Sequence, residues 1–463
     1  LIKLLYICLS SALLLFILTP SSMEAAVDTK RQWQDESVYY LLVDRFFNGD
    51  YHNDYFINTK EHDAYHGGDF QGMMTKLDYI HNMGFTTIRL DVIFDQERYS
   101  PSGQFLVDPY TIEEHYGNLK TFKQLVKKAH ERDMKVMIDF PIATLQGMSE
   151  NDMIMLANWW KDQTGIDGYF LPNLDKTPQN FLERFISELK YTSEVFYLVG
   201  EVEQADIKEI ENYENMGLTS IIISTSSDEL RNIFQSPNHL LEAVLSRFVD
   251  QKSYYVTKNI DRPGKARFTN HIVQSNQFPG DRWKPALSLL YTTPGVPMIY
   301  YGSEIALIGG GVDNDEQMLE FRADQELIEF IEKLGKARNQ YRSLTRGDYQ
   351  IIFEQEGIAV YTRSYLGEKT VIAINNTSKH QTIEIPATDI GTNKQLLSLI
   401  EGGLIKEQNG TYFIPLNEEQ SDIYIVRDDY GLNIYNILIM IAVPVSFLIL
   451  FYAIWKKGRK KRV

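Results

Sequence analysis

The chain has 463 residues, room for a large domain and a smaller one. Its 44% hydrophobic and 23% charged content is that of a globular protein and excludes a disordered one. A net charge of −16 excludes a basic nucleic-acid-binding surface.

In chain order, Leu4–Leu18 is almost wholly apolar, with Lys3 before it and Pro20-Ser21-Ser22 and Ala25-Ala26 after it. That is the layout of a secretory signal peptide over residues 1–26, with an uncleaved anchor as the alternative. The single cysteine, Cys8, falls inside this segment, too early for lipid attachment, so the mature chain is expected to hold no disulfide. Ser37–Phe46 reads as a first buried strand, Lys76–Met83 as a helix and Thr86–Phe94 as a second strand. Leu119–Arg132 places Phe122, Leu125, Val126 and Ala129 on one helical face, ahead of a third strand at Lys135–Phe140. After a helix at Leu156–Thr164, Gly165-Ile166-Asp167-Gly168 turns the chain into a short apolar fourth strand. Pro172 lacks the N–H that a ladder needs and ends it.

A helix at Pro178–Leu189 leads to a fifth strand, Leu198–Val202. Ser220–Ser224 is a sixth, Leu241–Asp250 a helix behind it, Ala266–His271 a seventh and Pro297–Tyr301 an eighth. Eight strands alternating with helices predict an α/β fold, a (β/α)8 TIM barrel over 27–345, whose working face lies at the C-terminal strand ends. From Gly347 the texture changes to short β-rich runs broken by Gly, Asn and Asp turns, a small antiparallel β-domain over 346–428.

Ile434 to Trp455 is 22 residues without a charge, long enough to cross a hydrocarbon core of ~30 Å, and predicts one transmembrane helix at 433–455. Six basic residues follow in 456–463, a cytoplasmic tail under the positive-inside rule. A buried core helix, the alternative, does not account for that basic flank. The expectation is a single-pass cell-membrane protein with its large N-terminal part extracellular. Without the six tail charges, that part and the span carry −22.

Asp44-Arg45-Phe46, Gly67-Gly68-Asp69, Gly165–Gly168, Gly200-Glu201-Val202, Asn270-His271 and the Pro294–Glu304 block stand in an order and spacing that resemble the α-amylase family of glycoside hydrolases, over roughly 37–426. The resemblance implies a retaining glycosidase site, which needs two carboxyl groups ~5–5.5 Å apart, one nucleophile and one acid/base. Carried over by position, the acid/base is Glu201, and Asp139 and His271 are substrate-binding. The family's fourth strand ends Gly-Phe-Arg-x-Asp, and here the arginine place is Phe170 and the nucleophile place is Pro172. The third carboxylate, which follows Asn-His in the family, is Ile272. Ala143-Thr144 stand for the family's Asn-His after the third strand, and Gln104 for its stacking tyrosine. Only 33 positions separate Asp139 from Pro172, so the family's inserted subdomain is largely missing. Asp175 and Asp91 are the carboxylates that could replace the nucleophile.

Asn48-Gly49-Asp50-Tyr51-His52-Asn53-Asp54 and Gly67-Gly68-Asp69 concentrate side-chain oxygens around glycines, which suits the six to eight oxygen ligands of calcium. The segment resembles the metal loop of the cyclodextrin- and maltodextrin-processing members of the family. By that match Asn48, Asp50, Asn53, Asp54 and Asp69 give side chains and Gly67 a carbonyl. The alternative is an Asx-rich turn satisfying its own backbone. Asp313-Asn314-Asp315 reads as a polar loop.

Three functions compete. The first is a catalytically inactive surface relative of the α-amylases that binds α-glucan (maltodextrin) or a membrane protein partner. The second is an active α-glucan hydrolase or transglycosidase with a rearranged site. The third is a purely structural surface protein. The missing carboxylates favour the first.

Overall fold

The computed structural model describes residues 30–145, 147–191, 195–249, 254–310, 316–323, 325–429 and 434–459. The predicted signal peptide with Cys8, the Asp313–Asp315 loop and the last four residues of the basic tail lie outside them.

Eight parallel strands form the first layer: β1 (Val38–Leu41), β2 (Thr87–Leu90), β3 (Lys135–Asp139), β4 (Gly168–Leu171), β5 (Tyr197–Val202), β6 (Ser220–Ile223), β7 (Thr257–Lys258) and β8 (Val296–Tyr300). Their order is β6-β5-β4-β3-β2-β1-β8-β7. A parallel bridge between Ile221 and Val256 joins β6 to β7 and closes the ring. Parallel strands covered on both faces need apolar side chains at nearly every position, and every residue of β1, β2, β4 and β8 is buried.

The Gly-Ile-Asp-Gly turn has a separate physical task at three of its positions. Gly165 ends the helix Glu150–Thr164 in the left-handed conformation, φ 71°, which costs glycine little. Asp167 Oδ2 accepts the Val136 N–H at 2.7 Å and pairs with His130 Nε2 at 2.8 Å, tying the entry of β4 to β3. Gly168 lets β5 approach, because a Cβ there would lie 2.2 Å from the Tyr197 carbonyl oxygen.

The element boundaries differ from expectation in two places. The first strand stops at Leu41, and Val43–Phe46 is a short helix at the barrel mouth. The seventh strand is not Ala266–His271 but Thr257–Lys258, and Phe268–Gln274 is a helix. Its Phe268, Thr269 and Ile272 are buried at helical spacing, and the Asp261 carboxylate caps it by accepting the Phe268 N–H at 2.7 Å. A strand of two residues is too short to leave a period-2 signature.

The helix Pro279–Thr292 joins the barrel to a second layer. Arg282, Trp283 and Pro285–Thr292 on it are buried, and Ser288 Oγ meets Ser421 Oγ at 2.6 Å across the junction. That layer is a six-stranded antiparallel sheet built from β9 (Asp348–Gln355), β10 (Ile358–Tyr365), β11 (Glu368–Asn375), β13 (Lys394–Ser398), β14 (Leu404–Lys406) and β16 (Ser421–Asp428). Its order is β9-β10-β11-β16-β13-β14. A two-stranded antiparallel sheet of β12 (Gln381–Pro386) and β15 (Thr411–Leu416) packs on it through Ile383, Ile385, Tyr412 and Ile414.

Ile434–Arg459 is one 26-residue helix. Among the described residues, no helix is long and apolar enough to cross a membrane, and the expected span is therefore not shown.

Gly168→Ala is expected to lower stability by about 1–3 kcal/mol, the usual cost of forcing atoms into a packed interior. A denaturant midpoint equal to that of the wild type would refute the β4–β5 approach described here.

Candidate active site

A guanidinium occupies the centre of the barrel mouth. Arg89 projects from β2 and donates from Nε to Asp139 Oδ1 at 2.7 Å and from Nη2 to Asp139 Oδ2 at 3.0 Å. Nη2 also reaches Glu201 Oε2 at 3.2 Å. The guanidinium carbon lies 4.0 Å from the centre of the Tyr40 ring and 4.5 Å from that of Phe170. Bidentate pairing and two aromatic faces are the contacts that a planar, weakly hydrated cation makes best. The site thus draws on β1 (Tyr40), β2 (Arg89), β3 (Asp139), β4 (Phe170) and β5 (Glu201).

Burial shapes the titration of this group. Asp139 is 3% exposed, and its carboxyl is held above the usual range by burial, with Arg89 opposing that rise. Burial also works against the charge on Arg89, but Asp139, Tyr40 and Glu201 more than offset it, and its pKa is raised. The Tyr40 hydroxyl, pushed up by burial, donates to Asp139 Oδ2 at 3.3 Å.

The remaining expected positions fall as follows. Pro172 directly follows β4, half-buried, and the chain then passes through Asn173 at φ 53° into a turn that leaves Asp175 exposed. Asp91 is fully buried, and its Oδ1 accepts the Val43 N–H at 3.0 Å. Burial pushes its carboxyl well above the usual range, and Oδ2 has no partner among the described residues. Glu201 meets Arg89 rather than either aspartate.

His271 and Ile272, matched through the Asn270-His271 pair, lie on a helix rather than at a strand end. His271 is half-buried on Phe268–Gln274, Ile272 is in the core, and Asn270 exchanges hydrogen bonds with Gly309 at 3.1 Å in both directions. The residues that follow β7 are Asn259-Ile260-Asp261-Arg262-Pro263-Gly264, without an Asn-His pair. Asp261, the carboxylate among them, is committed to Phe268 N and to Ser303 Oγ at 2.9 Å. Ala143 and Thr144 lie in a short turn, Ile142–Thr144, and Gln104 is exposed.

The Asx-rich loop divides into two groups. Asp69 caps the helix Phe70–Asn82, its oxygens accepting from Gly72, Gly49 and Asp50 N–H groups at 2.6–2.9 Å. Asp50 is half exposed and turns to His52. The other group is Asn48, whose Nδ2 lies 3.0 Å from both Asp54 oxygens, beside Gly67, together with Asn53. Asn48 Oδ1 and Asn53 Oδ1 are buried without a partner among the described residues. Two orphaned amide oxygens with a carboxylate between glycines fit a hard cation. Among the described residues no three His, Cys, Asp or Glu side chains gather as a metal cluster.

A cleft of about 1050 Å3 opens beyond β5, β6 and β7, lined among others by Asp206, Ile207, Thr225, Glu229, Phe248 and Asn259. Glu201, Asp139 and Pro172 do not line it.

A closed parallel barrel with two carboxyl groups at its C-terminal mouth, followed by a small antiparallel sheet, is the architecture of a glycoside hydrolase of the amylase type. The comparisons agree. Residues 40–208 match the family "Alpha amylase, catalytic domain", and 347–424 match "Alpha-amylase C-terminal domain". An Anoxybacillus α-amylase structure is 35% identical, with a TM-score of 0.82 over 87% of this chain and 100% of that one. The α-amylase of Geobacillus thermoleovorans, solved with acarbose, is 31% identical, with a TM-score of 0.80 over 86% and 100%. The Paenibacillus polymyxa beta/alpha-amylase is 25% identical over 85% of this chain, which spans 38% of that relative's length. The chain belongs to the α-amylase family.

Removing the cation should expose its worth. Arg89→Met leaves two carboxylates facing each other in a buried site and is expected to cost about 3–5 kcal/mol, the range for breaking a buried ion pair. A loss below 1 kcal/mol in equilibrium unfolding would show that the clamp does not hold the barrel mouth together.

Proposed function

We propose that this α-amylase-family chain binds α-glucan at the cell surface without hydrolysing it. The observation that carries this reading is the occupancy of the barrel mouth: Arg89 clamps Asp139 and Glu201, while the end of β4 offers Phe170 and Pro172 instead of a cation and a nucleophile. Retaining hydrolysis forms a bond from a carboxylate to the sugar and then breaks it with water. Glu201 alone can donate a proton but cannot supply that second group. A fixed guanidinium beside it also opposes the positive charge that develops on the sugar in the transition state. Glucan recognition is supported by the 31%-identical α-amylase that holds acarbose.

Display at the membrane is part of the proposal. Its support is the charge-free run Ile434–Trp455 with its basic flank, and the 26-residue helix over that run, on which Leu438, Ile441, Phe447 and Phe451 are exposed. A calcium ion is proposed at the loop after β1, held by Asn48, Asn53, Asp54 and Gly67, with Asp69 and Asp50 bracing the backbone around it. Its contribution is to fix the loop.

Two measurements test this reading. The full chain and its Glu201→Gln variant are expected to release no reducing ends from soluble α-glucan or an aryl α-maltoside while the wild type binds the polymer. Turnover that disappears on Glu201→Gln would sink the inactive reading. For the metal, EDTA is expected to lower Tm and millimolar calcium to restore it, since a ligand at 100 times its Kd stabilises by about 2.7 kcal/mol. A Tm indifferent to both would remove calcium from the loop.

A further inference from the structure

Three aromatic side chains on the loop after β1 stand in water. Tyr51 is 76% exposed, Tyr55 48% and Phe56 99%. Single exposed apolar residues need no explanation, but three within six positions concentrate apolar surface on one loop. The backbone beneath them is strained as well. Phe56 sits at φ 52°, in the left-handed region that a bulky side chain rarely adopts. Strain of this kind persists only where the surroundings over-determine it, and it clusters at sites of function.

The surroundings do over-determine it. Asn53 Nδ2 donates to the His115 carbonyl at 2.7 Å, and the His115 Nε2 lies 2.7 Å from the Tyr55 carbonyl. On its other side the His115 Nδ1 lies 2.6 Å from Glu113, and the imidazole stacks on Tyr65 with centroids 3.7 Å apart. Asn58 N donates to the Tyr65 carbonyl at 2.9 Å, pinning the far end of the loop. A rigid base thus holds flat apolar rings outward, although burial elsewhere would be the cheaper fate for them.

We propose that Tyr51, Tyr55 and Phe56 form a stacking platform for an α-glucan chain, separate from the barrel mouth. This rests on the glucan-binding reading above and names a surface for it. A pyranose ring presents a flat face of C–H groups that packs on an aromatic ring, and its edge hydroxyls need polar partners at the rim. His52 and Asp50 provide those, with side chains 97% and 47% exposed. Charge selects among possible occupants. Asp50, Asp54, Glu61 and Asp63 outnumber Lys60 on this segment, which repels anionic lipid headgroups and acidic polymers and leaves a neutral polyol unopposed. Tyr and Phe lose little rotamer freedom on contact, which favours them as anchors.

The test uses the full chain, native electrophoresis in amylopectin gels and titration with maltoheptaose. Tyr51→Ala and Phe56→Asn are each expected to raise Kd at least fivefold. Asparagine accepts the left-handed backbone more readily than phenylalanine, so Phe56→Asn is expected to melt at or above the wild-type Tm. A Phe56→Asn protein that melts lower would overturn the claim that the loop is strained to present its ring. Binding unchanged in both variants would overturn the platform while glucan recognition elsewhere stands. No wild-type affinity for either probe would overturn the glucan reading itself, and the platform with it.

Discussion

A buried arginine needs its charge answered within hydrogen-bonding distance, because removing an ion from water costs several kcal/mol that only close partners offset. Arg89 meets that requirement with two carboxylates and two ring faces drawn from four other strands. The requirement runs in both directions. Asp139 is buried at the centre of the sheet and would carry an uncompensated charge without the guanidinium. Glu201 gains a fixed partner and with it a fixed direction. The mouth of the barrel is therefore held by one cross-barrel ion cluster, and strand ends far apart in sequence are referred to a common point.

That cluster also explains how the fourth strand can do without its own cation and carboxylate. Phe170 stands at the place of the family's strand-four arginine. The cation arrives from β2 instead, and Phe170 becomes the surface it stacks on. Pro172 adds no third carboxyl group beside Asp139 and Glu201, and like charges repel strongly in a low-dielectric pocket. His271 lies on the helix Phe268–Gln274 rather than at a strand end.

Much of the barrel was legible because parallel strands read as apolar runs and because turns need particular residues. Gly165 and Gly168 marked the entry to β4 through a positive φ and a close approach, and Pro172 marked its end. β7 was not legible: its two residues, Thr257 and Lys258, are an ordinary polar pair in sequence. The segment expected as that strand, Ala266–His271, instead runs into the helix Phe268–Gln274, whose residues include Asn270 and His271. Arg89 was missed for a different reason. Its partners are 50 and 112 positions away, beyond any local pattern. Yet a lone arginine inside Thr87-Ile88-Arg89-Leu90 is a charge in a buried strand and asks for a counter-ion, and that question would have found it. The Asx-rich loop was legible as a set of oxygens but not as two groups, since which aspartate caps a helix is settled by direction rather than by composition.

The loop after β1 and the barrel mouth obey opposite economies. At the mouth Arg89, Asp139, Glu201 and Tyr40 pair with one another, and the faces of Tyr40 and Phe170 cover the cation. On the loop, aromatic faces are left in water and the backbone is held in a conformation that the side chain resists. Both depend on histidine or arginine bridging elements that are not neighbours in sequence: Arg89 between β2, β3 and β5, His115 between the loop and the turn at Glu113. On the reading proposed above, in which the barrel mouth does no hydrolysis, a second surface would carry the hold on a polymeric ligand. Rigid loops at the C-terminal ends of the strands are where a barrel can build one without disturbing its core.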